Sequence, residues 1–197
     1  QQSAPAAASP DATQQRTVTV STPFYEVKLD SRGAVVKSWV IKQIKEKGGQ
    51  IRPLHSIAGT KENPQPLQLV SQEGLDKDKA PLAISTGRAD VDSALSTRNF
   101  VVNGLDAAAP DAQLNLNQGE QKSIELALTD PSSGLEAVKK LTFDADSYTV
   151  KLETKLSQGG QPLPNAKIAI GPNIGDQGVP EYTFYSIAPE GVASIGD

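Results

Sequence analysis

The sequence predicts an all-β protein of antiparallel strands with little helix, and three observations lead to this fold class. First, residues 141–156 contain two strands in which apolar and polar residues alternate, separated by a tight acidic turn. Second, residues 24–30 repeat the Tyr-x-Val-x-Leu pattern of residues 148–152. Third, short strand-like segments recur between turns rich in Gly, Pro, Asn and Asp, which is typical of a β-sandwich or a β-barrel.

The N-terminal part of the predicted fold consists of strands at residues 17–20, 24–30 and 34–42, the last two joined by Ser31, Arg32 and Gly33. Glycine at the end of a three-residue connection can adopt the left-handed conformation that a bulged hairpin needs. The third strand, AVVKSWVIK, has apolar residues on both faces. We therefore expect it to be buried between two packed layers, which favours a sandwich.

The middle and C-terminal parts of the chain predict further short strands and no convincing helix. A turn at Gly48 and Gly49 is followed by a long surface loop, and residues 130–134 form another turn. The best helix candidate, residues 75–80, is short, charged and closed by Pro81. The remaining predicted strands are residues 67–71, 82–86, 98–103, 114–116, 122–129, 135–143, 147–156, 166–170 and 181–187. Of these, we expect the strand at residues 166–170 to be buried.

Length and composition restrict the domain organisation. Residues 1–16 are rich in Ala, Pro, Ser and Gln, a composition that predicts a disordered linker. Residues 17–197 then form a single β-sandwich domain, long enough for one hydrophobic core. The chain has no Met at position 1 and no apolar segment near the roughly 20 residues that cross a bilayer. We expect a soluble piece of a longer protein.

Charge and cysteine content exclude several classes of function. Lys and Arg number 19 against 23 Asp and Glu, a net charge of -4, and no basic stripe is present. A nucleic-acid partner is therefore not expected, because such binding needs several Lys and Arg side chains together. The absence of cysteine excludes disulfides, thiolate metal sites and a cysteine nucleophile.

Candidate catalytic and metal-binding residues are few. The single histidine, His55, lies in a predicted loop, and we interpret it as a surface or packed residue. The acidic pairs Asp144 with Asp146 and Asp76 with Asp78 have the residue type that calcium prefers, but they lack the glycine turn and the distant bidentate Glu. We interpret the first pair as a β-turn with capping side chains. No catalytic, cofactor-binding or metal-binding residue is predicted.

Two further features leave ligand binding open. The loop at residues 171–178 is rich in glycine but lacks a Lys-Ser/Thr pair and a following helix, so an ordinary turn is preferred over a ligand-binding loop. Trp39 and the group Tyr182, Phe184 and Tyr185 can stack on sugar rings. Because Trp39 lies in the strand that we expect to be most buried, core packing is the preferred interpretation.

Three segments carry a resemblance to a known family in their order and spacing. They are VSTPFYEVKLDSRGAVVKSWVIK (residues 20–42), PLQLV (residues 66–70) and SGLEAVKKLTFDADSYTVKLETKL (residues 133–156). In this order they resemble the large periplasmic domain of YidC, the family of bacterial inner-membrane protein insertases. None of the three is a catalytic signature.

The resemblance implies a β-supersandwich similar to that of sugar mutarotases. It also implies a non-catalytic domain at the periplasmic face of the inner membrane, in a protein-transport and chaperone system. Its partners are then accessory subunits of the Sec translocon and nascent membrane proteins, or it acts as a spacer above the membrane. A transmembrane helix is expected before Gln1 and a helix bundle after Asp197. Since the family domain continues past the position of residues 181–187, we also weigh a domain shortened at its C-terminus.

Two other functions remain open at this point. The first is a carbohydrate-binding or mutarotase-like supersandwich, motivated by the fold analogy and the aromatic residues near Tyr182. Mutarotation in that superfamily uses a Glu together with His side chains, and this chain has only His55. The second is an adhesin-like β-sandwich, which predicts no membrane helices downstream of Asp197.

Overall fold

Strands dominate the structure, a computed structural model that describes residues 13–105, 111–171 and 175–179. Of these residues 47% are in strands and 9% in helices, so the predicted mostly-β class with several antiparallel sheets is confirmed. In chain order the elements are β1 (Thr17–Ser21), β2 (Tyr25–Asp30), β3 (Val35–Ile41), β4 (Gln43–Lys45), β5 (Ile51–Pro53), β6 (His55–Ser56), β7 (Gln65–Gln68), α1 (Gln72–Asp76), β8 (Ile84–Ser85), α2 (Ala89–Thr97), β9 (Val101–Asn103), β10 (Asp111–Asn115), β11 (Gln121–Asp130), β12 (Leu135–Asp144), β13 (Val150–Gln158), β14 (Gln161–Pro162) and β15 (Lys167–Ile168).

Two larger sheets organise these strands. The first has six strands in the order β10-β1-β2-β3-β7-β6, all antiparallel except the parallel pair of β1 and β10. The second has five antiparallel strands in the order β14-β13-β12-β11-β9. Strands β4 with β5 and β8 with β15 form two small antiparallel pairs.

A single hydrophobic core draws on both larger sheets. Along β12 the inward residues are buried at every second position, as the period of two predicts. Burying each large aliphatic or aromatic side chain contributes roughly 1.5–3 kcal/mol, so this shared core is the main stabilising feature of the fold. Its members from the two sheets include Val18, Val20, Val27, Leu29, Val36, Ile124, Leu126, Leu128, Leu135, Ala137, Leu141 and Phe143.

The predicted hairpin between β2 and β3 is confirmed, together with its left-handed glycine. Gly33 has φ +72°, and a β carbon there would lie 3.1 Å from the carbonyl oxygen of Ser96. The next residue, Ala34, is also left-handed at φ +50°. The pairing shifts from Lys28 opposite Ser38 to Leu29 opposite Val36, which leaves one extra residue in β3. A bulge of this kind increases the local twist of the hairpin.

The prediction that β3 is buried on both faces is correct for only half of the strand. Val35 and Val36 are both buried although they point to opposite faces. After the bulge, Trp39, Val40 and Ile41 are only half-buried. The second half of β3 therefore lies near the margin of the core.

Little helix is present, as predicted, but the structure has two short helices where the sequence shows no convincing one. Helix α2 has Asp90 and Asp92 in its first turn, where they complement the helix dipole, and it buries Val91 and Leu95 one turn apart. Helix α1 begins three residues earlier than the candidate at residues 75–80, because the Ser71 hydroxyl accepts the amide hydrogen of Gly74 and caps its N-terminus. Among the described residues neither helix is long and apolar enough to span a bilayer.

Several predicted elements differ from the structure. The strand at residues 82–86 is only the two-residue β8, because Leu82 adopts a left-handed conformation with φ +68°. The predicted buried strand at residues 166–170 is the two-residue β15, and it is exposed, with Ile170 81% accessible. Strands β4 and β5 pair on either side of the turn at Gly48 and form a hairpin, whereas the sequence predicts a surface loop after this turn. The strand predicted at residues 181–187 lies outside the described residues.

The end of the segment assigned to the linker contacts the fold. The Gln15 side-chain amide donates to both carboxylate oxygens of Asp30 at 2.9 Å. The Arg16 backbone amide donates to the Ser31 hydroxyl at 2.7 Å. Residues 13–16 are thus attached to the β2–β3 turn, whereas residues 1–12 lie outside the described part.

Candidate functional site

The structure places the predicted candidate residues apart from one another. His55 lies on the short strand β6 and is exposed. The Asp144 carboxylate accepts the amide hydrogen of Asp146 at 2.8 Å, and the Asp146 carboxylate accepts that of Gly119 at 3.1 Å, which confirms the capping interpretation. Among residues 13–105, 111–171 and 175–179, no group of three His, Cys, Asp or Glu side chains is placed to hold a metal ion.

The described part of the glycine-rich loop packs on the fold as a turn. The Asp176 carboxylate accepts the amide hydrogens of Gly178 at 2.9 Å and of Ile57 at 3.1 Å. The Gln177 amide donates to the Gln68 carbonyl oxygen at 2.9 Å. These bonds attach the loop to the ends of β6 and β7 and use its polar groups internally.

The aromatic candidates do not form a described stacking platform. Trp39 is half-buried, and its ring centroid lies 5.9 Å from that of Tyr25 at the margin of the core. Tyr182, Phe184 and Tyr185 lie outside the described residues. Trp39 is thus engaged with another aromatic ring, as the core interpretation predicts.

The most unusual side chain in the structure is Lys139, which the sequence analysis did not single out. It lies on β12 and is only 1% exposed. Its Nζ donates to three carbonyl oxygens, those of Gly33 at 3.0 Å, Ala34 at 2.8 Å and Leu82 at 2.6 Å. The ring of Phe100 lies 5.6 Å away. The lysine thus joins the second sheet to the β2–β3 turn and to the segment before β8.

Burial changes the protonation chemistry of this lysine. Removal from water disfavours the charged form and lowers the pKa of Lys139 from 10.5 to about 7. The three carbonyl oxygens match the three N–H groups of an ammonium and so favour the charged form. No carboxylate contributes to the lowered pKa of Lys139. Lys139 therefore titrates in the physiological range.

The sequence does contain a signal for this residue. In LEAVKKLTF the residues on the buried face are Leu135, Ala137, Lys139, Leu141 and Phe143. A lysine within such an apolar register has its charged group inside the core unless the long side chain reaches the surface. The alternation therefore predicts an unusual environment, although it does not reveal the partners.

A cleft of about 380 Å³ lies next to the groups that Lys139 holds. It is bounded by the β2–β3 turn, the segment before β8 and the end of α2. Its lining combines two cations and two carboxylates with apolar residues, so it suits a polar group rather than a purely apolar one. The lining includes Asp30, Arg32, Lys37, Asp78, Ala83 and Leu95.

A second buried charge, Asp130, stabilises the turn between β11 and β12. Its carboxylate accepts hydrogen bonds from the hydroxyls of Ser132 and Ser133, each at 2.6 Å, and forms an ion pair with Arg98 at 3.0 Å. These hydrogen bonds, with the two serine hydroxyls foremost, hold the pKa of Asp130 well below its usual range. The carboxylate is ionised at neutral pH and its role is structural.

The outer edge of β13 is a candidate interaction surface. Within the described part of the chain, β14 pairs with β13 only at Ser157 and Gln158. Along residues 150–155 the outward backbone groups have no strand partner among the described residues. Lys151 and Lys155 are exposed there, while Leu152 is half-buried. Such an edge can accept an extended polypeptide.

Comparison with known proteins assigns no family to this chain. No protein-family model matches the sequence, and the search of curated proteins found no similar one. Membership of the YidC family therefore stays a prediction from the residues quoted above.

Proposed function

We propose that this chain is the non-catalytic periplasmic domain of a YidC-type membrane-protein insertase, with a single β-supersandwich domain at residues 17–197. In this role the domain lies at the periplasmic face of the bacterial inner membrane. It contacts accessory subunits of the Sec translocon or nascent membrane proteins, or it acts as a spacer. Membrane insertion itself belongs to helices outside this chain.

The observation that carries the proposal is the position of the three resembling segments in the fold. The first spans β2 and β3, the second overlaps β7, and the third spans β12 and most of β13. Strands β2, β3 and β12 are central in their sheets and supply buried core residues, and the half-buried apolar side chains of β13 pack against this core. The resemblance therefore covers the framework of the fold rather than isolated loops.

The edge of β13 is the surface that best suits an extended partner. Strand addition gives a nascent chain main-chain hydrogen bonds without requiring a particular sequence, as a general insertion factor needs. Exposed Lys151 lies between half-buried Val150 and Leu152, and Lys155 is exposed further along the strand, so a bound strand meets both polar and apolar side chains. We assign nascent polypeptide as the occupant of this edge.

Site-specific photo-crosslinking in native membranes tests this role. A photoreactive amino acid is placed at Lys155 on the edge strand and, as a control, at Lys140, which is exposed on the inner strand β12. We expect crosslinks from position 155 to nascent membrane proteins or translocon subunits, identified by mass spectrometry, and several-fold fewer from position 140. If neither position crosslinks to such a protein, the interaction role is wrong and only the spacer role remains.

No described observation favours the sugar-binding alternative. The lone histidine His55 is exposed, and Trp39 packs against Tyr25. The aromatic residues near Tyr182 that motivated this alternative lie outside the described part of the chain. The insertase domain is therefore the function that we carry forward.

A further inference from the structure

Asn103 is the only asparagine of this chain that is followed by a glycine. An asparagine side chain can lose its amide group without an enzyme when the backbone nitrogen of the next residue attacks its carbonyl carbon. Glycine at the next position favours this attack, because it has no side chain in the way and leaves the backbone free to turn. Every other asparagine is followed by a residue with a side chain.

The fold leaves both partners of this reaction accessible to water. Asn103 is the last residue of the short strand β9, and Asn103 and Gly104 are both exposed. Gly104 has φ +91°, and a β carbon there would lie 3.2 Å from the Ser123 carbonyl oxygen, so the position requires glycine. Among the described residues the Gly104 amide has no hydrogen-bond acceptor. Its nitrogen is therefore not fixed in the strand ladder.

A single contact holds the Asn103 side chain. Its Nδ2 donates to the Glu125 carboxylate at 3.2 Å, and Glu125 lies directly opposite on β11. The distance is at the long end of the range for N–H···O bonds, and the bond is exposed to water, which limits its net strength. It restrains the side chain only weakly.

We propose that Asn103 is a site of spontaneous deamidation, which converts the end of β9 to an aspartyl or isoaspartyl residue and weakens this edge of the second sheet. The Gly104 nitrogen gives its proton to solvent base and forms a bond to Cγ of Asn103. The bond from Cγ to Nδ2 breaks, and the released nitrogen takes a proton from water and leaves as ammonia. Water then opens the cyclic succinimide at either of its two carbonyl carbons.

The charge of the product is placed against an existing charge. Deamidation replaces the amide donor at position 103 by a carboxylate, which lies directly opposite Glu125. Like charges at directly opposed positions of an antiparallel pair are destabilising. Lys140 lies on the far side of Glu125 and is itself opposite Glu153, so it does not face the new carboxylate.

The isoaspartyl product also changes the backbone. It places one additional carbon atom in the main chain at position 103, where a strand requires regular spacing of its amides and carbonyls. Strand β9 pairs with β11 only through Val101, Val102 and Asn103. A disturbed residue 103 thus removes one of the few pairs that hold β9. This edge lies at the opposite end of the sheet from β13, so the inference does not depend on the proposed insertase role.

Mass spectrometry of aged protein tests the site. The folded protein is kept in mildly alkaline or mildly acidic buffer and digested with trypsin beside a fresh sample. One tryptic peptide, residues 99–122, contains Asn103 and the control Asn117. Asn117 is also exposed and donates its Nδ2 to a carboxylate, that of Glu120 at 3.4 Å, but it is followed by Gln118. We expect Asn103 to be converted at least several-fold faster than Asn117, with both products present and a higher rate in the alkaline buffer.

Two results would overturn the site. The first is an Asn103 that keeps its amide as long as Asn117 does. The second is a rate at Asn103 that increases with low concentrations of urea in parallel with global unfolding, which would mean that the fold protects this residue. Asn103→Gln should stop the reaction at position 103, because the longer side chain would have to close a less favourable six-membered ring.

Hydrogen exchange measured by NMR tests the weakened edge separately. In Asn103→Asp we expect the protection of the amides of residues 101–103 and 125–127 to fall by about two- to fivefold, while Leu141 on β12 is unchanged. Asn103→Gln, which keeps an amide, is the matched control and should retain protection. Glu125→Gln combined with Asn103→Asp should restore it, because the like charges are then removed. Unchanged protection in Asn103→Asp, or no recovery in the double variant, would show that this charge contact does not weaken β9.

Discussion

Raising the pH from 7 to 10 should stabilise the folded protein by several kcal/mol, and Lys139→Met should remove most of this gain. The pKa of Lys139 is about 7 in the fold and 10.5 as its ordinary value. Between these values the unfolded chain binds more protons than the native state, so stability rises with pH. The full difference between these two pKa values corresponds to at most about 5 kcal/mol in the free energy of unfolding. Below pH 7 both states are protonated and this contribution is constant.

Urea unfolding followed by Trp39 fluorescence at several pH values measures this effect. Burial also lowers the pKa of Lys42, which adds a change of the same sign in both proteins. Burial raises the pKa of Tyr25 to about 12, so ionisation of tyrosine in the unfolded chain opposes the trend above pH 10 and limits the window. Lys140→Met is the matched control and should retain the wild-type slope. A Lys139→Met variant with an unchanged slope would show that the amine is not the buried titrating group.

The second large effect is expected at the turn between β11 and β12. Asp130→Asn should destabilise the fold by about 3 kcal/mol at neutral pH, because it removes one member of a buried ion pair and leaves Arg98 without its partner. The Asp130 side chain is 3% exposed and that of Arg98 24%. The substitution keeps the shape of the side chain, so the loss reports on charge and hydrogen bonding rather than on packing.

Acid pH provides an independent signature of Asp130. Because its pKa is held below the ordinary 3.8, the stabilisation is complete above pH 4 and is lost as the pH falls below that value. The difference in urea midpoint between wild type and Asp130→Asn should therefore be smaller at pH 3 than at pH 7. Asp146→Asn, in the exposed turn after β12, is the control and should cost less than about 1 kcal/mol. A similar loss in both variants would contradict a special role for Asp130.

The alternation of side chains predicted the central strands well, because one face of each strand is buried. The strands β1, β2, β11 and β12 were predicted to within one or two residues at each end. The left-handed Gly33 followed from the turn chemistry of the hairpin. In these places the local pattern and the tertiary environment favour the same conformation.

Tertiary contacts decided the elements that the sequence analysis missed. Helix α2 buries only Val91 and Leu95, too few apolar positions for its period to stand out. The β15 segment contains alternating apolar residues, yet both residues of β15 are exposed and it pairs only with the two-residue β8. The left-handed Leu82 that shortens β8 is held by the Lys139 amine, a partner 57 residues away. Such distant partners cannot be read from local periodicity.

The candidate sites were likewise predictable where they depend on local sequence and not where they depend on distant contacts. Capping by Asp144 and Asp130 was predictable, since Asp and Ser in a turn bond to nearby amides. The position of Lys139 on a buried face was visible in the register of β12, but the three carbonyl oxygens around it come from two loops that only the fold brings together. The cleft beside these groups depends on the same loops.

The reading frame that encodes this chain tests the central claim most directly, since the insertase assignment predicts what flanks the domain. Sequencing the gene beyond the codons for Gln1 and Asp197 should reveal one hydrophobic helix upstream and five further hydrophobic helices downstream, each of roughly 20 residues. A stop codon immediately after Asp197, or a downstream region without hydrophobic helices, would contradict the account.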